Sequence, residues 1–303
     1  MSAAVDDRKS VLITGCAPGG IGHSLALEFH RHGLRVFATA RDNARLADLA
    51  EKGIETLSLN VNQEDSVKEC RDEVQALLGE KKGLDYLVNN AGRNYTVPAL
   101  DVDMAEARAT FETNFFAVIT MCKTFVPLLI QAQGTIVQLG SLAGVMPYVF
   151  GSVYNASKAA LHSFSDTLRV ELAPFGVKVT TIITGGVKSQ IARTHRSLPP
   201  DSLYHPIKEE YNRRQVHSQA GAMPNGVYAR KVVTQILYGS APWRWIFPWR
   251  KAGSGTKKWI WAGNKAALVW FLSAGWAWVG VFQFAFTRMF NLWKLKKAFQ
   301  KSK

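Results

Sequence analysis

The chain has 303 residues, 47% of them hydrophobic, which is ordinary for a globular protein and enough for one large domain with additions. Its net charge of +14 is concentrated at one end: residues 1–210 hold 21 basic against 23 acidic residues, whereas residues 211–303 hold 16 basic and no acidic ones. All nine tryptophans also fall late, between Trp243 and Trp293, and basic residues interleaved with indoles around an apolar run fit a lipid surface and argue against nucleic acid as partner. Cys16, Cys70 and Cys122 are scattered without metal-ligand spacing, so free thiols in a reducing compartment are expected, and no metal. The N-terminal "MSAAVDDRKS" has no apolar core, so no signal peptide is expected.

Taken in chain order, short apolar runs read as strands buried on both faces at 11–14, 35–40, 55–61, 84–90, 134–140 and 177–183. Helical patterns fit between them near 21–32, 43–52, 64–79, 104–131 and 153–173. Repeated β–α units predict an α/β protein with a doubly wound parallel sheet, a Rossmann fold, whose ligands bind at the C-terminal edge of the strands. The first strand leads into "TGCAPGGIG". Gly15 permits a tight turn, and Gly20, Ile21 and Gly22 open a helix whose N–H groups can hold a pyrophosphate. The second strand ends "ATAR" without a carboxylate for a ribose 2′-hydroxyl, and Arg41 can pair a 2′-phosphate, so NADP(H) is the expected cofactor.

In "YNASK", Tyr154 and Lys158 stand four apart and share a helix face. A neighbouring ammonium and a cationic nicotinamide favour tyrosinate, so the Tyr154 pKa is expected to fall. Such a tyrosine can protonate a ketone oxygen as hydride reaches carbon. His162, two turns further on, reads as structural.

After residue 184 the pattern loosens. Residues 186–224 are polar, basic and proline-bearing, and read as a mobile substrate lid. A helix is expected near 226–239, and a last strand at either 243–248 or 257–263. These readings divide the chain into a catalytic domain, 1–240, and a basic, Trp-rich, membrane-associating helical extension, 241–303. Residues 266–287 are 22 in a row without a charge. As a helix they reach about 33 Å, enough to cross a hydrocarbon core. Both flanks are basic, which favours both ends staying cytosolic and a one-leaflet insertion bent at Gly275.

The glycine turn, "NNAG" (89–92), Ser141 in "GSLAG" and "YNASK" together resemble the short-chain dehydrogenase/reductases over roughly residues 8–240. The resemblance implies Tyr154 as proton donor, Lys158 tuning it and binding the nicotinamide ribose, Ser141 polarising the carbonyl, and Asn114 of "TNFF" completing a proton relay. It implies that Asn90, Ala91 and Gly92 line the cofactor, and that backbone groups of Thr184, Val187 and Ser189 in "TGGVKS" face the nicotinamide. Three departures stand out. The glycine turn is one residue longer than usual, so Gly19 or Gly20 takes the second family role. Asn60 replaces an adenine-contacting aspartate, and Thr184 replaces a proline.

Within the family, "VLITGCAPGGIG", "RVFATAR", "NNAGRNY", "YNASKAAL" and "ITGGVKS" are most similar to fungal 1-acyl-dihydroxyacetone-phosphate reductases. That resemblance implies NADPH-dependent reduction of a lipid ketone to 1-acylglycerol 3-phosphate, a step of phospholipid biosynthesis. Lys188, Arg193, Arg196, Lys208, Arg213 and Arg214 of the lid suit a phosphate monoester or a lipid headgroup. The expected partners are a lipid substrate, a membrane or lipid-droplet surface, and a second copy in a homodimer. The expected place is the cytosolic face of the endoplasmic reticulum or a lipid droplet. A steroid, retinoid or 3-ketoacyl oxidoreductase, and a membrane-tethered nucleotide-binding scaffold without turnover, are the alternatives.

Overall fold

The computed structural model describes residues 6–191, 195–239, 257–273, 281–292 and 294. Its centre is a sheet of seven strands in the order β3-β2-β1-β4-β5-β6-β7, every pair parallel. The strands are β1 Ser10–Ile13, β2 Arg35–Ala40, β3 Glu55–Ser58, β4 Tyr86–Asn89, β5 Thr135–Leu139, β6 Lys178–Thr184 and β7 Trp259–Ala262. The helices are α1 Ile21–Arg31, α2 Ala47–Ala50, α3 Glu64–Leu78, α4 Met104–Phe111, α5 Ala117–Ala132, α6 Ser152–Leu172, α7 Lys208–His217, α8 Asn225–Tyr238, α9 Ala266–Phe271 and α10 Val281–Met289.

The central strands carry no polar face because helices cover both sides. On one side Leu25, Phe29, Tyr228, Val232 and Val233 of α1 and α8 pack over Val11, Ile13, Val88 and Val137. On the other, Val67, Val74, Val118, Phe125, Leu129 and Leu161 pack over Leu12, Phe37, Leu87 and Ile136. Among the described residues one continuous helical run, Met104–Ala132, is long and apolar enough to cross a membrane. Its residues Val118, Met121, Cys122, Phe125, Leu128 and Leu129 belong to this core.

Three features refine the sequence reading. The 104–131 pattern is not one regular helix: a π turn over Glu112–Phe116 separates α4 from α5. The 186–224 stretch contains α7, whose Tyr211 is fully buried and joins Phe150, Leu198 and Ile207 in a small core of its own. The last strand is drawn from 257–263, so the sheet reaches beyond residue 240; the other candidate, 243–248, lies outside the described residues, as do Arg193 and Gly275.

β7 is integral to the core: Ile260 is 1% exposed and packs in the same cluster as Val232 and Val233. Replacing Ile260 with Ala is expected to destabilise the protein by about 3 kcal/mol in urea unfolding, as for an interior isoleucine. A change below about 0.5 kcal/mol, the usual size at a surface position, would mean that this strand is a detachable tail.

Candidate functional site

The C-terminal ends of β1, β4 and β5 converge on one crevice. At its floor the Thr14 hydroxyl accepts hydrogen bonds from the backbone N–H groups of Asn90, at 3.0 Å, and Ala91, at 2.9 Å. The Asn90 side chain returns the tie, its Nδ2 donating to the carbonyls of Thr14 and Gly15 at 2.7 and 3.0 Å. Thr14 was not singled out by sequence; its only signal is a small hydroxyl residue at the end of the first strand.

The glycine turn is shaped to exclude side chains. Gly15 and Gly19 have φ of +74° and +73°, conformations that glycine adopts without strain. The longer turn is thereby settled: Gly19 takes the left-handed position and Gly20 becomes the N-cap of α1. A Cβ on Gly22 would lie 2.5 Å from both Asn90 Nδ2 and the Gly15 carbonyl. With no acidic residue in the first turn of α1, the crevice suits an anion held by backbone N–H groups. Arg41 ends β2 exposed and forms no ion pair among the described residues, while neighbouring Asp42 turns back to accept from Ala44 N at 3.1 Å. The one nearby carboxylate is thus engaged as a cap. Asn60 is half-buried after β3, its Oδ1 accepting from Asn62 N. These residues fit an adenine dinucleotide carrying a 2′-phosphate.

The catalytic candidates also come together. Lys158 on α6 is 5% exposed, and its Nζ donates to the Leu139 carbonyl at 2.8 Å, tying helix to strand end. Asn114 sits in the π turn, fully buried. Its Oδ1 accepts from Arg93 N at 2.9 Å, and its Nδ2 reaches the Arg93 carbonyl and the Ser157 hydroxyl at 3.0 and 3.1 Å. Gly92 separates the two groups: a Cβ there would stand 3.1 Å from Asn114 Oδ1 and 3.8 Å from Lys158 Nζ. The Ser141 hydroxyl accepts from Ala143 N at 3.2 Å and lies close enough to the Tyr154 phenol to act on its titration.

The Lys158 part of the electrostatic expectation is not met. Burial pushes the Tyr154 phenol up; the Ser141 hydrogen bond and the charge of Arg214 act the other way, and Lys158 does not. The ammonium stands 6.0 Å from the ring centre and is committed to Leu139. Burial pushes Lys158 itself down to about 8. A protonated phenol is the form that can donate.

His162 holds this arrangement from below. Its Nε2 accepts from Ser141 N at 3.2 Å, which requires neutral imidazole, and burial together with the Lys158 charge pushes its pKa down to about 4. Gly140 and Gly144 of the "GSLAG" loop leave room for the ring, since a Cβ on either would fall within 2.7 Å of it. The end of β6 and the segment after it are held by side chains. The Thr184 hydroxyl is 2.7 Å from Tyr228 Oη, while Gln219 takes the Ser189 N–H at 3.1 Å and the Val187 carbonyl at 3.3 Å.

Known proteins resemble this chain in sequence and in fold. A family model for short chain dehydrogenase matches residues 9–199. The chain is 46% identical over 211 residues to the NADPH-dependent 1-acyldihydroxyacetone phosphate reductase of Schizosaccharomyces pombe, covering 68% of this chain and 71% of that one. It is 39% identical over 295 residues to the short-chain dehydrogenase virD of Hypocrea virens, covering 97% and 96%. A solved short-chain dehydrogenase from Streptomyces avermitilis matches with a TM-score of 0.71 at 24% identity, covering 89% of this chain and 92% of that one. The chain belongs to the short-chain dehydrogenase/reductase family. Its class is oxidoreductase, and the reductase of S. pombe is a close relative.

Keeping Lys158 charged at a buried site is costly below pH 8 and costs nothing above the ordinary lysine value of 10.5. Lys158→Met removes that cost. The stability of Lys158→Met relative to wild type is therefore expected to fall by up to about 3 kcal/mol between pH 7 and pH 10.5, measured by urea unfolding. A difference independent of pH would show that Lys158 is not strained.

Proposed function

We propose that this chain uses NADPH to reduce the ketone of 1-acyl-dihydroxyacetone phosphate, giving 1-acylglycerol 3-phosphate, on a cytosolic membrane or lipid-droplet surface. The observation that carries this reading is the convergence of Ser141, Tyr154, Lys158 and Asn114 on one crevice, in a chain 46% identical to a reductase of that substrate. Bound NADPH supplies a hydride to the carbonyl carbon. Ser141 holds the carbonyl oxygen, and Tyr154, protonated in the working pH range, gives that oxygen its proton. Lys158 and Asn114 fix the helix, the strand end and the π turn around that proton. Arg41 faces the 2′-phosphate of the cofactor.

The tail supports a surface-bound enzyme. α9 exposes Leu268, Trp270 and Phe271, and α10 exposes Phe284 and Met289, with the Arg288 guanidinium 5.4 Å from the Phe284 ring centre. Apolar and aromatic residues beside a guanidinium suit the headgroup boundary of a bilayer. A second reading, reduction of a different lipid ketone, is favoured by the relatives that match over the tail as well, which are named only as short-chain dehydrogenases.

Tyr154→Phe is expected to lower NADPH oxidation with 1-acyl-dihydroxyacetone phosphate by at least about 100-fold without loss of cofactor binding. Turnover of a steroid or retinoid, with none of the phosphate ester, would favour the second reading. Arg41→Ala is expected to lower kcat/KM for NADPH roughly 10- to 100-fold and to leave NADH much less affected. A C-terminal tag in sealed microsomes is expected to be digested by added protease; protection would mean a spanning segment.

A further inference from the structure

We propose that Arg214 is the specificity residue of this active site, gripping the substrate's phosphate and so setting the reacting ketone against Tyr154. This rests on the reading of the substrate as a phosphorylated ketone.

The lid cations are not equivalent. Arg196 is paired with Glu106 at 2.9 Å, exposed Arg213 donates to the Met289 carbonyl, and Lys188 and Lys208 are exposed. Among the described residues Arg214 is the one buried lid cation, at 5% exposure. Its Nε donates to the Val149 carbonyl at 2.8 Å, and its guanidinium lies 3.3 Å from the ring centre of Tyr148. Its two terminal nitrogens have no hydrogen-bond acceptor, and no carboxylate stands within ion-pair distance, among the described residues. The titratable groups that face it are the phenols of Tyr148, Tyr154 and Tyr211, which are neutral in the working pH range and supply no anion. A buried cation without an anion is strongly unfavourable, and the missing charge has to come from a ligand.

The free end of this guanidinium lies beside the N-terminus of the helix that carries Tyr154. A Cβ on Gly151 would meet Arg214 Nη2 at 3.3 Å, and Gly151 is the N-cap of α6, three residues before Tyr154. No side chain caps this helix and its first turn has no acidic residue, so the positive end of α6 faces the same space. The preceding residue, Phe150, has φ of +58°, an uncommon strain for an aromatic residue, and its ring is wedged among Tyr204, Tyr211 and Phe290. The chain is thus bent to bring Gly151 to Arg214. In the proposed substrate one methylene and one ester oxygen separate phosphorus from the carbonyl carbon. A phosphate held in the guanidinium fork therefore leaves the ketone little freedom beside Tyr154.

The test compares 1-acyl-dihydroxyacetone phosphate with its dephosphorylated analogue as substrates of the full-length, NADPH-loaded enzyme. In Arg214→Met the ratio of the two kcat/KM values is expected to shrink at least about 30-fold, chiefly through KM for the phosphate ester, and Arg214→Lys is expected to recover part of it. Equal losses on both substrates, with the ratio intact, would reduce Arg214 to a support for the 148–151 loop and overturn the proposal. Inorganic phosphate gives an independent readout on the NADP-loaded protein. It is expected to raise the Tm of wild type and not of Arg214→Met. No shift in wild type, or equal shifts in both, overturns the site whether or not the variants fold well. Should wild type fail to reduce the phosphate ester, the proposed reaction falls. A phosphate-dependent Tm shift lost in Arg214→Met would then still establish the anion site.

Discussion

A single buried ammonium ties the active site to the fold. Lys158 leaves water to donate to the Leu139 carbonyl, and that bond fixes the face of α6 against the end of β5. Tyr154 is one turn back on the same helix, Ser141 two residues past the same strand, and His162 one turn further on, holding the Ser141 backbone. Asn114 approaches from the third side, separated from Lys158 only by a residue without a side chain. Removing that ammonium frees stability and unties the crevice, which is why a position so unfavourable to charge carries one.

The parts of the fold legible in the sequence were those with only one physical solution. Strands covered on both faces need continuous apolar residues, so β1, β2, β5 and β6 announced themselves. The glycines of the first turn were legible because a Cβ on Gly22 has nowhere to go. α7 was hidden because "KEEYNRRQVH" is polar by composition; what holds it is the burial of Tyr211, whose hydroxyl reaches the Thr96 carbonyl across 115 residues of chain. The π turn left no trace in hydrophobic spacing. The Tyr154 shift was misjudged because pairing with Lys158 was weighed and burial was not.

The tail is also bound into the catalytic unit. Glu210, the last acidic residue of the chain, accepts from Asn291 at 3.1 Å and Lys294 at 2.7 Å. Phe286 and Phe290 pack on Tyr148, Phe150 and His217. The residues just after the apolar segment therefore roof the side of the crevice where Arg214 lies. The end of the tail and the Arg214 side of the crevice are thus neighbours in space, though far apart in sequence.

The π turn at Glu112–Phe116 bears on how this chain can change over time. Such a turn is a regular helix with one residue too many. Losing any one of those five residues would let α4 and α5 merge into a continuous and better-bonded helix. The same loss would swing everything on one side of it by about 100° relative to the other, and Asn114 would leave the crevice. Here a shorter gene would encode a sturdier helix and a crevice without Asn114.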